Sequence, residues 1–271
     1  MRVLSSGKLH SDDTSLPVLQ KGNVKSGRLW VYLANEREKP ALCLYEYSPN
    51  RSKTYPEQLL KEYSGYLQAD ACPGYNGLYE SGKIIEVACF AHCRRKFFEI
   101  TKKVAAPSLA HDALALIGKL YEVEAACKAM SITQRYYYRK KWAKPWLKRL
   151  KQWLRNHSRR VVPGTPLSGA IHYALNHWQA FCNYLRHGDL HIDNNAAEHQ
   201  IKPCVIGRKN YLFAGSDHGA KHAATIYSII ETCKLNSINT FNYLADVFKR
   251  IPNLKANQLD LLLPFNWQPQ Q

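Results

Sequence analysis

"LHSDDTSLPVL" (residues 9–19) alternates loosely between apolar and polar side chains, the period of a half-buried strand. Two more runs follow, "GRLWVYLA" (27–34) and "ALCLYEY" (41–47). Both are rich in aromatic and β-branched residues, and turn residues bound them. Three such runs in succession predict an antiparallel meander. Further along, "TYPEQLLKEYSG" (54–65) predicts a helix ending at Gly65, and "YLQADA" (66–71) a short strand entering the Pro73-Gly74 turn. "YNGLYES" predicts a helical turn and "KIIEVACFAH" (83–92) a buried strand.

The order β-β-β-α-β-α-β implies an α/β fold, a mixed sheet with helices packed on it, as in a ribonuclease-H-like core. Residues 94–190 switch to a helical period, which Pro145 and "VVPGTP" (161–166) are expected to divide. Within it Ile171, Ala174, Leu175, Trp178, Phe181, Cys182 and Leu185 form one apolar stripe. Beyond it, "AAEHQIK" reads as a short helix stopped by Pro203, "NYLFAG" (210–215) as strand-like, and "GAKHAATIYSIIETCKLNSI" as an amphipathic helix. The expected organisation is a sheet core in two parts (1–93 and 191–250), an all-helical insertion (94–190) and a C-terminal tail (251–271).

Formal net charge is +17 over 271 residues, which favours an anionic polymer or an anionic surface as partner. Residues 94–160 carry 18 Lys/Arg against Glu99, Asp112, Glu122 and Glu124, so the excess is concentrated in the helical region. No apolar run reaches the roughly 18–20 residues of a membrane span, and "MRVLSSGKLHSDDT" has no signal-peptide core. The eight cysteines contain no CxxC pair and read as reduced thiols, which makes a cytoplasmic protein the expectation.

Three acidic positions stand out. Asp12 and Asp13 lie in the first strand, Asp70 at the end of the fourth, and Glu198 at a helix start. In a sheet of this order the first and fourth strands are neighbours, so their acids can meet and a later helix can add a third. Clustered carboxylates repel unless a cation joins them, and Mg²⁺ prefers such hard oxygen ligands. Each acid also has a plain structural reading. Glu198 in particular fits a capping box at N3, with Asn195 as the N-cap.

"LHSDDTSLPVL", "LQADACPGYNGLYE", "VACFAHCRRKFFEI", "IDNNAAEHQIKPCVIGRKNYLFAGSDHGAKHAATIYSIIETCKLN" and "LLLPFNW" together resemble the insertion sequence 66 family of bacterial transposases, over residues 8–267. The resemblance implies a DDE-type enzyme that cleaves DNA at element ends and joins the ends to a target, with Mg²⁺ (or Mn²⁺) as cofactor. It places the triad at Asp12, Asp70 and Glu198, which are both catalytic residues and metal ligands. Asp12 shares parity with Leu16 and Val18, and Asp13 stands as the alternative. The family's "QADGYAGY" type of segment is "QADACPGY" here, and His199 and Lys202 replace its arginines. Family members carry an upstream DNA-recognition region, whereas this chain begins almost at the first catalytic strand. The alternative function is therefore a truncated, non-catalytic DNA-binding relic or regulator, and a related nuclease is a third reading.

Arg94, Arg95, Lys96, Lys202, Arg208 and Lys209 are the expected DNA contacts. The expected partners are insertion-sequence ends and target DNA, an oligomer of this chain on DNA, and accessory transposition proteins. "QRYYYRKKWAKPWLKRLKQWLRNHSRR" (134–160) interleaves cations and aromatics, which suits phosphates and frayed bases and equally a solvated helix face. Cys89, His92 and Cys93 lack the second ligand pair of a zinc site. "GSDHGAK" lacks the spacing of a phosphate-binding P-loop.

Overall fold

The computed structural model describes residues 2–34, 40–71 and 73–269. In chain order the elements are β1 (Lys8–Gln20), β2 (Asn23–Ala34), β3 (Leu42–Ser48), α1 (Thr54–Leu59), β4 (Gly65–Ala69), α2 (Asn76–Tyr79) and β5 (Ile84–Ala88). Then come α3 (Phe90–Thr101), α4 (Leu109–Ala126), α5 (Ile132–Ser158), α6 (Pro166–Asn176), α7 (Trp178–Cys182), α8 (Asn195–Tyr211), α9 (Asp217–Leu235) and α10 (Thr240–Arg250). The chain is thus a mixed α/β protein. It divides into two compact units, Met1–Gly65 with Pro73–Lys83 and Asn195–Gln271, and Tyr66–Cys72 with Ile84–Asn194. The second unit therefore takes in β4 and β5 together with helices α3–α7.

In the first unit β1, β2 and β3 form the expected antiparallel meander, with Leu16 opposite Gly27, Asp12 opposite Val31, and Val31 opposite Tyr45. A two-residue turn joins β1 to β2, and Gly22 supplies its left-handed residue (φ 75°). Directly opposed residues share a face. One face therefore carries Leu16, Val18, Leu29, Val31, Leu33, Cys43, Tyr45 and Tyr47. Ala197, Ile201 and Cys204 of α8 and Ala220 and Ala224 of α9 are buried against it.

The edge of β3 is closed by polar side chains of α9 and of Asn236, its C-cap. Asn236 Oδ1 accepts from Ala41 N (3.0 Å), Thr232 Oγ1 from Cys43 N (3.1 Å), and Ser228 Oγ from Tyr45 N (2.8 Å). Four helical residues rise about 6.0 Å and two strand residues about 6.6–6.8 Å. The two spacings nearly match, so one residue per turn can serve every second residue of the strand. The edge is thereby protected from pairing with another chain.

Residues 251–269, the described part of the C-terminal segment, pack against α9 and α10. Leu262 is buried with Tyr243, Val247 and Cys233; the Tyr243 hydroxyl donates to Leu262 O (2.6 Å), and Trp267 Nε1 to Asp246 Oδ2 (2.7 Å).

In the second unit β4 neighbours β5. Its core joins Phe90, Cys93 and Phe97 of α3, Ile117 and Leu120 of α4, Leu147, Leu150 and Leu154 of α5, and Ile171 and Phe181. The predicted apolar stripe around residues 171–185 is present, but it is split. α6 ends at Asn176 and α7 starts at Trp178.

Neither proline breaks its helix. α5 runs through Pro145 and α8 through Pro203, extending eight residues past the predicted stop. An interior proline costs about 3 kcal/mol. A buried leucine contributes about 1.5–3 kcal/mol, and α5 buries three of them. The carbonyls that lose a partner belong to Lys141 and His199, both exposed residues that water can reach. The run 210–215 is not a strand. Residues 210 and 211 finish α8, and only Ala214 makes a single bridge, parallel to Val18. α1 likewise stops at Leu59, short of Gly65.

Candidate active site and nucleic-acid interface

Strand parity separates the two acids of "DDT". Asp13 points to the face of Ser11, Trp30 and Tyr32. There its carboxylate, 3% exposed, meets Arg28 Nε at 2.7 Å and Arg51 NH2 at 2.8 Å. Arg51 hydrogen-bonds both its oxygens, and Arg28 adds an ion-pair contact. Asp12 points to the opposite face, the one covered by α8 and α9, and its Oδ1 accepts from Asp13 N (2.8 Å), which fixes the carboxylate's direction. Glu198 lies in the first turn of α8, next to the buried Ala197 that seats this helix on the sheet. Asp12 and Glu198 therefore share one layer of the first unit. Both are half-buried.

Asp70 belongs to the second unit, directly after β4, and is also half-buried. Its carbonyl accepts from the Tyr173 hydroxyl (3.4 Å). The next residue, Ala71, has φ 57°, the left-handed region that favours glycine. This is the position where the resembling family's segment has glycine.

The stretch preceding α8 is braced inside the second unit. His191 N donates to Gln68 Oε1 (2.8 Å), and Gln68 Nε2 donates to His191 O (3.0 Å). Phe90 N donates to Ile192 O (3.0 Å), and Asn194 N to Cys89 Sγ (3.2 Å). Gln68 escaped the sequence reading, and Cys89 entered it only as a metal-ligand candidate, because their role here is to hold backbone; the one signal was their place beside Asp70 and the "AHCRRKF" run. Burial pushes the Cys89 and Cys93 thiols up to about 12, which keeps them protonated and poor nucleophiles. Burial, then Asp193 and Cys89, likewise raises the Tyr121 phenol far above its ordinary range.

Arg94, Arg95 and Lys96 are exposed on α3, opposite its buried Phe90, Cys93 and Phe97. Arg94 lies over the Phe98 ring (5.6 Å) and Lys96 over Tyr173 (4.4 Å). On α8, Lys202 and Lys209 are exposed. Arg208 is half-buried, and its guanidinium bonds the carbonyl and hydroxyl of Ser15, tying α8 to β1. Lys140, Lys144, Lys148 and Lys151 form one row along α5, about one cation per 5.4 Å turn. With Arg186 and Trp178 they line a cavity of about 650 Å³ that has no acidic lining residue. Lys151 sits 5.7 Å from the centre of the Trp178 ring.

The fold is that of a mixed α/β protein, with Asp12 and Glu198 in its first unit and Asp70 and the strongly basic helices in its second. A sequence profile for the IS66 family of transposases matches residues 1–222, and one for the IS66 C-terminal element matches residues 228–265. The chain belongs to the IS66 transposase family. It is 31% identical over 285 residues to the uncharacterised protein y4hP of Sinorhizobium fredii, covering 98% of this chain and 52% of that protein. It is 30% identical to y4jD of the same organism, covering 99% and 55%. The chain thus spans about half the length of the curated relatives it matches. Among the described residues, no helix is long and apolar enough to cross a membrane.

Proposed function

We propose that the protein is the catalytic portion of a DNA transposase, cutting element ends and joining them to target DNA. The observation that carries this reading is the sorting of the "DDT" acids. Asp13 is consumed by Arg28 and Arg51, while Asp12 is turned to the sheet face on which Glu198 rides. Asp12, Asp70 and Glu198 offer only hard carboxylate oxygens, the donor set that Mg²⁺ or Mn²⁺ takes. Asp12, Asp70 and Glu198 would hold such ions, which would supply charge stabilisation for phosphodiester exchange. The protein's own residues orient the acids and hold the substrate. The Asp13 amide fixes Asp12, and α8 seats Glu198. Arg94, Arg95, Lys96, Lys202, Lys209 and the α5 lysine row supply charge for phosphates. Arg208, fastened to Ser15, positions α8 and adds its field to that surface. Handling two element ends at once calls for an oligomer on DNA, and accessory transposition proteins fit the same reading.

The test is nicking and strand joining of element-end DNA with Mg²⁺. Asp12→Asn, Asp70→Asn and Glu198→Gln should each lower the rate on the order of 10³-fold or more, as loss of a metal-supported transition state implies. An Asp70→Asn protein that still cut and joined these ends would overturn the assignment.

A further inference from the structure

The turn between α8 and α9 presents bare apolar side chains on a strained backbone. Leu212 is 62% exposed and Phe213 40%. Leu212 has φ 63°, a left-handed conformation rare for a bulky residue. Such strain persists only where the surroundings over-determine it, and here they do. Leu212 N donates to Arg208 O (2.9 Å), Phe213 N to Tyr211 O (2.7 Å) and Ala214 N to Pro17 O (2.8 Å), while Ala214 O accepts from Leu19 N (2.9 Å). Arg208 adds its bond to the Ser15 hydroxyl (2.7 Å). The tip is therefore carried rigidly on β1, the strand that bears Asp12.

The segments on either side of the tip carry exposed cations, Lys209 on α8 and Lys221 on α9. The one acid between residues 202 and 222, Asp217, is taken up by Lys25 Nζ (2.6 Å) and the Tyr47 hydroxyl (2.5 Å). An apolar point flanked in the chain by lysines matches a polyanion whose interior opens when it is bent. Leucine and phenylalanine are among the side chains that proteins insert between base steps.

We propose that Leu212 and Phe213 form a wedge that enters DNA at an unstacked base step, with Lys209 and Lys221 on the flanking phosphates. The proposal rests on the transposase reading and deepens it. The wedge would hold the duplex distorted near the point of strand exchange.

The probe is a short nicked duplex with 2-aminopurine beside the nick, titrated with the full chain at low salt. The intact protein should raise the 2-aminopurine emission several-fold. Leu212→Asn, which tolerates the left-handed backbone, and Phe213→Ala should each reduce that rise, and the double variant should abolish it. Affinity read by anisotropy should change less than about tenfold, because phosphate contacts carry it. Lys209→Ala and Lys221→Ala should each lower the slope of log affinity against log salt by about 1. A double variant that keeps the full emission rise overturns the wedge. Tight binding by the intact protein without any emission rise sinks the wedge alone, whereas no binding to DNA sinks the transposase reading with it. If the double variant leaves emission unchanged but loses binding to phosphatidylserine vesicles, or loses self-association in sedimentation, the tip serves a membrane or a second copy and the proposal fails.

Discussion

Two ion clusters, one in each compact unit, silence charge in opposite ways. In the first unit Asp13 is neutralised by two cations, Arg28 and Arg51, beside a strand that stays partly open to water. In the second unit Arg139 is 1% exposed. It meets Glu124 at 2.5 Å and donates to the carbonyl of Leu190 at 2.8 Å. Arg135, one turn earlier, donates to the carbonyls of Gly188 and Met130 at 3.0 Å. Gly188 makes this approach possible, since a Cβ there would lie 1.8 Å from Ile132 O. A chain with an excess of 17 positive charges thus uses two arginines as internal fasteners for one turn. Its net charge overstates what is available to a partner.

The comparison can be broken at several points. Arg139→Ala leaves Glu124 and several carbonyls without their cation, and should cost about 3–5 kcal/mol in urea unfolding. Replacing Arg139 and Glu124 together by Met and Leu should recover most of that loss, because an apolar pair of similar volume avoids desolvation. If the double variant were as unstable as the single one, the pair would not be the fastener described. Asp13→Asn should cost about 2 kcal/mol, the scale of a charged hydrogen-bonded contact, with DNA cleavage per folded molecule preserved. Loss of cleavage with the fold intact would instead make Asp13 the functional acid.

Glu86 tests how the second unit treats an acid governed by burial. Burial pushes its carboxyl up to about 7, and His177, 3.9 Å away, is itself held low by burial and then by Lys96. The folded state therefore binds the proton more tightly than the unfolded state. The Glu86 contribution to stability is full below the unfolded value and falls as pH rises toward about 7. Glu86→Gln should flatten thermal stability across that window, by on the order of 1 kcal/mol after solvent screening. The smallest effect is a gain. Ala71→Gly should stabilise the protein by up to about 1 kcal/mol by relieving its left-handed φ, partly offset by greater freedom in the unfolded chain.

The meander was readable because period-two alternation and burial coincide in "LHSDDTSLPVL" and its two successors. Prolines misled because a helix tolerates one where the orphaned carbonyl faces water and the opposite side is packed, and only the three-dimensional setting of Pro145 and Pro203 reveals that. "NYLFAG" has strand composition, yet its aromatic and leucine sit at an exposed tip and only Ala214 pairs. Asp12, Asp70 and Glu198 could be named from motifs. Their sorting could not, because the partners that consume Asp13 lie 15 and 38 residues away. The cations of α3 and α8 were visible as charge, but Arg208's tie to Ser15 was not.

The long pairing of β1 with β2 has a further consequence, for mutation by insertion or deletion. A strand's side chains alternate with period two, so gaining or losing one residue between Asp13 and Leu16, with Leu16 held in register, would turn Asp12 and Asp13 each to the other's face. The carboxylate meant for the α8 face would then meet Arg28 and Arg51, and its neighbour would lose both cations. A one-residue length change in β1 should therefore be far more damaging than most substitutions in it, and length should be the most constrained property of this strand.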